Sequence, residues 1–142
     1  MLTHYLQKAN EILSDLIRTT RNDIKDVKDA NHDGVFSRIK IKEELVKSFE
    51  NHKSLIDNEI GKLVQSAKGS TLDGILNDEQ QKSLDEMREN IKTLQVENRH
   101  FATIVIAVSE FYSSLLNKII PTEQVGYDTH KAKRASYLQL KG

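Results

Sequence analysis

The strongest constraint on the fold is a heptad repeat that runs from residue 84 to residue 119. Its members follow one another at alternating steps of three and four residues, which is the pattern of a coiled-coil or bundle seam. A helix from Asp78 to Ile119 is about 60 Å long at roughly 1.5 Å per residue. Burying a seam of that length requires other long helices. The seam positions are Leu84, Met87, Ile91, Leu94, Asn98, Phe101, Val105, Val108, Tyr112, Leu115 and Ile119.

Two earlier segments, residues 2–27 and 36–64, carry apolar residues at the spacing of amphipathic helices. With one Pro, no Trp and six Gly in 142 residues, the composition also favours long helices over a sheet. We therefore predict an all-α fold, an elongated antiparallel bundle of three long helices over residues 1–120. The remainder, 121–142, is predicted to be a flexible basic tail in which a short helix is an option.

The first predicted break, DANHDGVF at residues 29–36, looks like the start of a calcium loop. Asp29, Asn31 and Asp33 alternate and a glycine follows, as in the first half of an EF-hand. The twelfth position should be a bidentate Glu, but it is Lys40, which removes two ligand oxygens and adds a positive charge. We interpret the stretch as a polar turn and predict no metal site.

The second break covers residues 66–78, which contain two Gly and several small polar residues. We predict a loop here, with Asn77 or Asp78 as the N-cap of the third long helix. Within that helix, Asn98 is the polar member of the seam. A lone asparagine at such a position commonly fixes register at some cost in stability.

Residues 101–120 are apolar over a wider arc than one seam requires, since Ile104, Phe111 and Leu116 lie beside it. A membrane span is disfavoured because Glu110 and several serines lie at the centre of the segment. Two interpretations remain open. The segment is either the closed end of the bundle or a groove that accepts an amphipathic helix of a partner.

Catalytic chemistry is not predicted. The chain has no Cys, no Gly-rich phosphate loop and no helical metal-binding pair among its five His. Its net charge of zero gives no general attraction for nucleic acid. The first residues do not resemble a secretory signal, so a cytoplasmic protein is expected. No cofactor is expected either. Alternatives are a phosphorelay or regulatory signalling bundle that uses His100, and a homo-oligomeric coiled-coil adaptor, including a homodimer.

Three parts of the chain together resemble the FlgN family of flagellar export chaperones. The second helix, RIKIKEELVKSFENHKSLID, is similar to that family's apolar-spaced helix after a Lys. LQVENRHFATIVIAVSEFYSSLL resembles its Leu-Asn-x-x-Asn element, which leads into an apolar final helix. The end of the chain, VGYDTHKAKRASYLQLKG, resembles its Tyr-containing, basic, flexible C-terminus.

The resemblance implies a chaperone that binds the C-terminal helical segments of the hook–filament junction proteins FlgK and FlgL. It also implies that Tyr127 docks on the export-gate protein FlhA and that Asn98 matches the second Asn of the family element. The partner-binding residues that it implies lie on the third helix: Leu94, Asn98, Phe101, Ile104, Val105, Val108, Phe111, Tyr112, Leu115, Leu116 and Ile119.

Overall fold

The structure is a computed structural model that describes residues 1–67 and 72–119. Every secondary-structure element in these ranges is a helix. The all-α bundle of three long helices is therefore confirmed, while the predicted tail at 121–142 lies outside the described residues. Within the described ranges, no helix is both long enough and apolar enough to cross a membrane. The elements are α1 (Leu2–Lys28), α2 (His32–Ala67), α3 (Leu72–Ile75) and α4 (Asp78–Ile119).

The predicted loop between α2 and α4 contains the one-turn helix α3, which the sequence did not indicate. Leu76, directly after it, is buried in the core. The predicted N-cap is confirmed at Asn77. The Gln80 backbone N–H donates to Asn77 Oδ1 (2.8 Å), and the Asn77 N–H donates to Gln80 Oε1 (3.1 Å). This reciprocal pair is a capping box, so the start of α4 is fixed locally.

The turn between α1 and α2 is shorter than predicted. Only Asp29, Ala30 and Asn31 lie outside the helices, and the rest of DANHDGVF forms the first turns of α2. The correction has a physical reason, because Asn31 Oδ1 accepts the Gly34 N–H (3.3 Å) and so caps α2 early. On the α1 side, the Asn31 N–H donates to Asp26 O (2.7 Å) and the Ala30 N–H to Val27 O (3.2 Å). These two bonds form a Schellman motif.

Ala30 occupies the left-handed position of this motif, with φ of 61°. A Cβ is disfavoured there by roughly 1–2 kcal/mol, and the motif ordinarily uses Gly. We expect Ala30→Gly to raise the free energy of unfolding by about 0.5–1 kcal/mol. The gain is smaller than the full cost of the Cβ because Gly also makes the unfolded chain more flexible. Urea unfolding measures this, with Asp29→Gly as the control that should destabilise. Destabilisation by both variants would contradict the assigned turn.

Two compact units divide the chain, and each contains parts of all three long helices. The first comprises Met1–Thr19 and Lys40–Gln95. In this unit α1 and α4 run in the same direction, because Gln80 bonds Thr3 and Asn90 bonds Asn10. The core of the unit is formed by Leu2, Leu6, Ala9, Leu13, Ile56, Leu76 and Met87.

Asn10 is a buried polar residue within this first unit. Its side-chain N–H donates to Ser83 O (3.0 Å), and its Oδ1 accepts from the Asn90 side chain (3.2 Å). A buried amide must keep such partners, so these bonds favour one register between α1 and α4. The sequence analysis assigned a register role to Asn98 and did not identify Asn10.

The second unit comprises Thr20–Ile39 and the chain from Val96 onward. It contains the end of α1, the turn, the start of α2 and the last part of α4. Its buried core is Ile24, Val27, Val35, Phe101 and Val105.

Candidate partner-binding site

The predicted binding residues at the start of the apolar segment lie in the core of the second unit. Phe101 and Val105 are only 6% and 5% exposed. Ile104 and Val108 pack against the same cluster and are partly buried. This part of α4 is therefore closed by the end of α1 and the start of α2, and its side chains stabilise the bundle.

The following turns of α4 differ sharply in exposure. Phe111 is 65% exposed, Tyr112 43% and Leu115 42%. We call these three residues the distal stripe. Their positions continue the steps of three and four residues from Ile104 and Val108, so the stripe extends the face that is buried one turn earlier. The sequence left two interpretations of this apolar segment open. The closed bundle end applies to the first part of this helix face, and an open surface applies to the distal stripe.

The remaining predicted residues are less informative. Leu94 packs against the core of the first unit, and Asn98 and Leu116 are half-buried. Ile119 is the last residue of α4, but its side chain is outside the described set, and so is the whole of Tyr127.

The exposure of the distal stripe follows from the lengths of the helices in the second unit. Arg21 of α1 forms an ion pair with Glu97 of α4 (3.5 Å), and Ile24 and Val27 pack with Phe101 and Val105 further along. The two helices therefore run in the same direction, and the end of α1 at Lys28 is about level with residue 104. From there α4 continues for about 20 Å at roughly 1.5 Å per residue.

The rings of the stripe are arranged edge to face. The centroids of Phe111 and Tyr112 are 6.5 Å apart, with an interplanar angle of 73°. Edge-to-face contact is a favourable geometry for aromatic pairs. Phe111 and Tyr112 therefore form one continuous aromatic surface on α4.

A charged network elsewhere in the second unit was not predicted from the sequence. Arg38 Nη1 lies 3.0 Å from Asp23 Oδ1 and 2.6 Å from Asp26 Oδ2, which joins α2 to α1. Burial opposes the charge of Arg38, but its bonds to Asp26 and Asp23 outweigh that effect and raise the pKa of Arg38. Asp23 itself is 2% exposed. The signal available in the sequence was an aspartate beside Ile24 in an otherwise apolar stripe.

Gly34 makes room for this network. A Cβ at Gly34 would collide with the Asp26 carboxylate and approach the Asn31 side chain within 2.9 Å. Glycine is therefore required here for close packing of α2 on α1, and not for an unusual backbone conformation.

Within the described ranges, no group of three or more His, Cys, Asp or Glu side chains is arranged to hold a metal ion. His100 lies on the exposed side of α4. Comparisons of the chain with family models, with curated proteins and with solved structures find no match.

Proposed function

We propose that this protein is a cytoplasmic, non-enzymatic export chaperone of the FlgN type. In this proposal it binds the C-terminal helical segments of FlgK and FlgL and brings them to the export gate. The observation that supports it most directly is the distal stripe, an aromatic and aliphatic surface that continues the packing face of α4. An amphipathic client helix would extend the bundle beyond the point where α1 ends and α2 begins.

The spacing of the stripe suits helix-in-groove recognition. Such partners insert side chains at steps of three, four and seven residues, and Phe111, Tyr112 and Leu115 have complementary steps. Aromatic residues are also enriched among the side chains that dominate binding energies. Ile104 and Val108 form a partly buried floor next to them.

Calorimetric titration with a peptide from a client's C-terminal helix tests the proposal. We expect saturable binding, and we expect Phe111→Glu to weaken it by about 100-fold or more, because a charge would replace an aromatic anchor. Val64→Glu is the matched control, since Val64 is a 44% exposed apolar residue on α2 in the first unit.

The control should bind like the unchanged protein. If Phe111→Glu folds with an unchanged helical circular-dichroism spectrum and keeps full affinity, the stripe is not the client site. If no client peptide binds the unchanged protein, the chaperone proposal fails as a whole.

Gate docking is a separate part of the proposal and depends on Tyr127. We expect Tyr127→Ala to leave the affinity for client peptide unchanged. The same variant should weaken binding of the client-loaded protein to the cytoplasmic domain of FlhA by about tenfold, because one aromatic contact is lost. A pull-down or titration with FlhA measures this, with Tyr137→Ala as the control. If the unchanged protein, Tyr127→Ala and Tyr137→Ala all bind FlhA with equal affinity, the proposed role of Tyr127 is ruled out.

A further inference from the structure

The side of α4 that faces α1 in the second unit continues past the end of α1. Glu97 forms the ion pair with Arg21, and Ile104, seven residues later, packs against the core to which α1 contributes. The next two positions at this spacing are Phe111 and Lys118. Because steps of seven residues return to nearly the same side of a helix, both lie on the side that α1 covers one turn earlier.

Two lysines flank the distal stripe along this side. Lys28, the last residue of α1, lies seven residues after Arg21 and so shares the flank of α1 that pairs with α4. Since Lys28 is about level with residue 104, it is about 20 Å from Lys118 along the helix axes. Both lysines are exposed, and neither forms an ion pair with a side chain in the described ranges. Each lies in the last turn of its helix, where it offsets the helix dipole and stays free to pair.

The acidic groups around the stripe do not neutralise these lysines. In the described part of the second unit, the exposed acidic side chains are Asp29, Asp33 and Glu110. Glu110 lies about 150° around α4 from the stripe, at roughly 100° per residue. Asp33 lies opposite the buried Val35 on α2 and so points away from the packed side. Asp29 follows the end of α1, and Lys25 in the last turn of α1 offsets its charge.

We propose that the distal stripe binds an acidic amphipathic helix. Its apolar residues contact Phe111, Tyr112 and Leu115, and its carboxylates pair with Lys28 and Lys118. Such a helix has apolar residues at steps of three and four, and carboxylates two heptads apart, because two heptads span about 21 Å. Charges at the rim of an interface select among partners that share one apolar pattern. The inference rests on the proposed function, since it states the chemistry of the client helix.

Two synthetic helical peptides of about three heptads test the charge requirement without any flagellar sequence. Both have leucines at the seam spacing, and they differ only at two flanking positions two heptads apart, which are Glu in one peptide and Lys in the other. In calorimetric titrations of the full chain, we expect the Glu peptide to bind about tenfold more tightly than the Lys peptide. Salt at about 0.5 M should remove most of this difference, because it screens exposed charges.

Charge reversal on the protein provides the second measurement. Lys28→Glu/Lys118→Glu should prefer the Lys peptide by a similar factor. The matched control is Lys40→Glu/Lys82→Glu, which reverses two exposed lysines of the first unit and should keep the preference for the Glu peptide. If the first double variant loses its helical circular-dichroism spectrum, Lys118→Gln replaces it and should reduce the preference by about threefold.

Equal binding of the two peptides to the unchanged protein would overturn the proposal, and so would binding of neither. Binding to phosphatidylcholine vesicles with about 30% phosphatidylglycerol, abolished by Phe111→Glu, would make a membrane the occupant and reject the helix. A dimer in sedimentation velocity that Phe111→Glu dissociates would reject it in favour of a second copy. A preference for the Glu peptide in a protein that binds no FlgK or FlgL peptide would uphold the acidic-helix site and reject the chaperone function.

Discussion

Replacing Arg38 with Met is expected to lower the free energy of unfolding by about 3–5 kcal/mol, the usual effect of removing one partner from a buried ion pair. Arg38 neutralises Asp23 and Asp26 in the second unit, and Asp23 is almost fully buried. Met fills much of the same volume, so the loss reflects the ion pairs of Arg38 with Asp23 and Asp26 and not a cavity. Urea unfolding followed by circular dichroism measures it.

The triple variant Arg38→Met/Asp23→Asn/Asp26→Asn provides the control. Removing all three charges should recover a large part of the stability, since a buried ionic network can often be replaced by neutral side chains at little cost. The single effects should therefore not add. An Arg38→Met variant within about 0.5 kcal/mol of the unchanged protein, the range of ordinary surface substitutions, would contradict the network as described.

Phe101→Ala should destabilise the protein by about 3–4 kcal/mol, whereas Phe111→Ala should change the stability by about 0.5 kcal/mol or less. The two phenylalanines lie ten residues apart on α4, but one is 6% exposed and the other 65%. Truncating Phe101 leaves a cavity among Ile24, Val27 and Val35. Truncating Phe111 removes only exposed surface.

The same pair separates packing from binding. In client-peptide titrations, Phe111→Ala should reduce affinity by about tenfold or more while the fold is retained. Comparable destabilisation by both variants would mean that Phe111 is covered and structural. Comparable tolerance of both would mean that Phe101 is not part of the core.

The heptad repeat was sufficient to predict α4 from Asp78 to Ile119, and the structure has these bounds. A strict period over many turns, with Asn77 as a local cap, leaves little freedom. The turn at Asp29 was predicted, but its length was not. An Ala in the left-handed position gives no sequence signal, because the motif ordinarily uses Gly.

The division of the apolar face into a closed and an exposed part could not be predicted. Periodicity identifies which side of α4 is apolar, but it does not show where the neighbouring helices end. That depends on the register between helices, which within the second unit is marked by the Arg21–Glu97 ion pair. The buried Asp23 and Arg38 were missed for the same reason, since they are fifteen residues apart and meet only after α2 folds back on α1.

The pairing of α1 with α4 also has a consequence for biosynthesis. Asn10 leaves the ribosome eighty residues before its partner Asn90. At a synthesis rate of about 5–20 residues per second, that delay is roughly 4–16 s. During this interval the apolar face of α1, including Leu6 and Leu13, cannot complete the packing that buries it in the finished protein. The apolar face of α1 therefore stays without its α4 partner on the nascent chain until synthesis has passed Asn90.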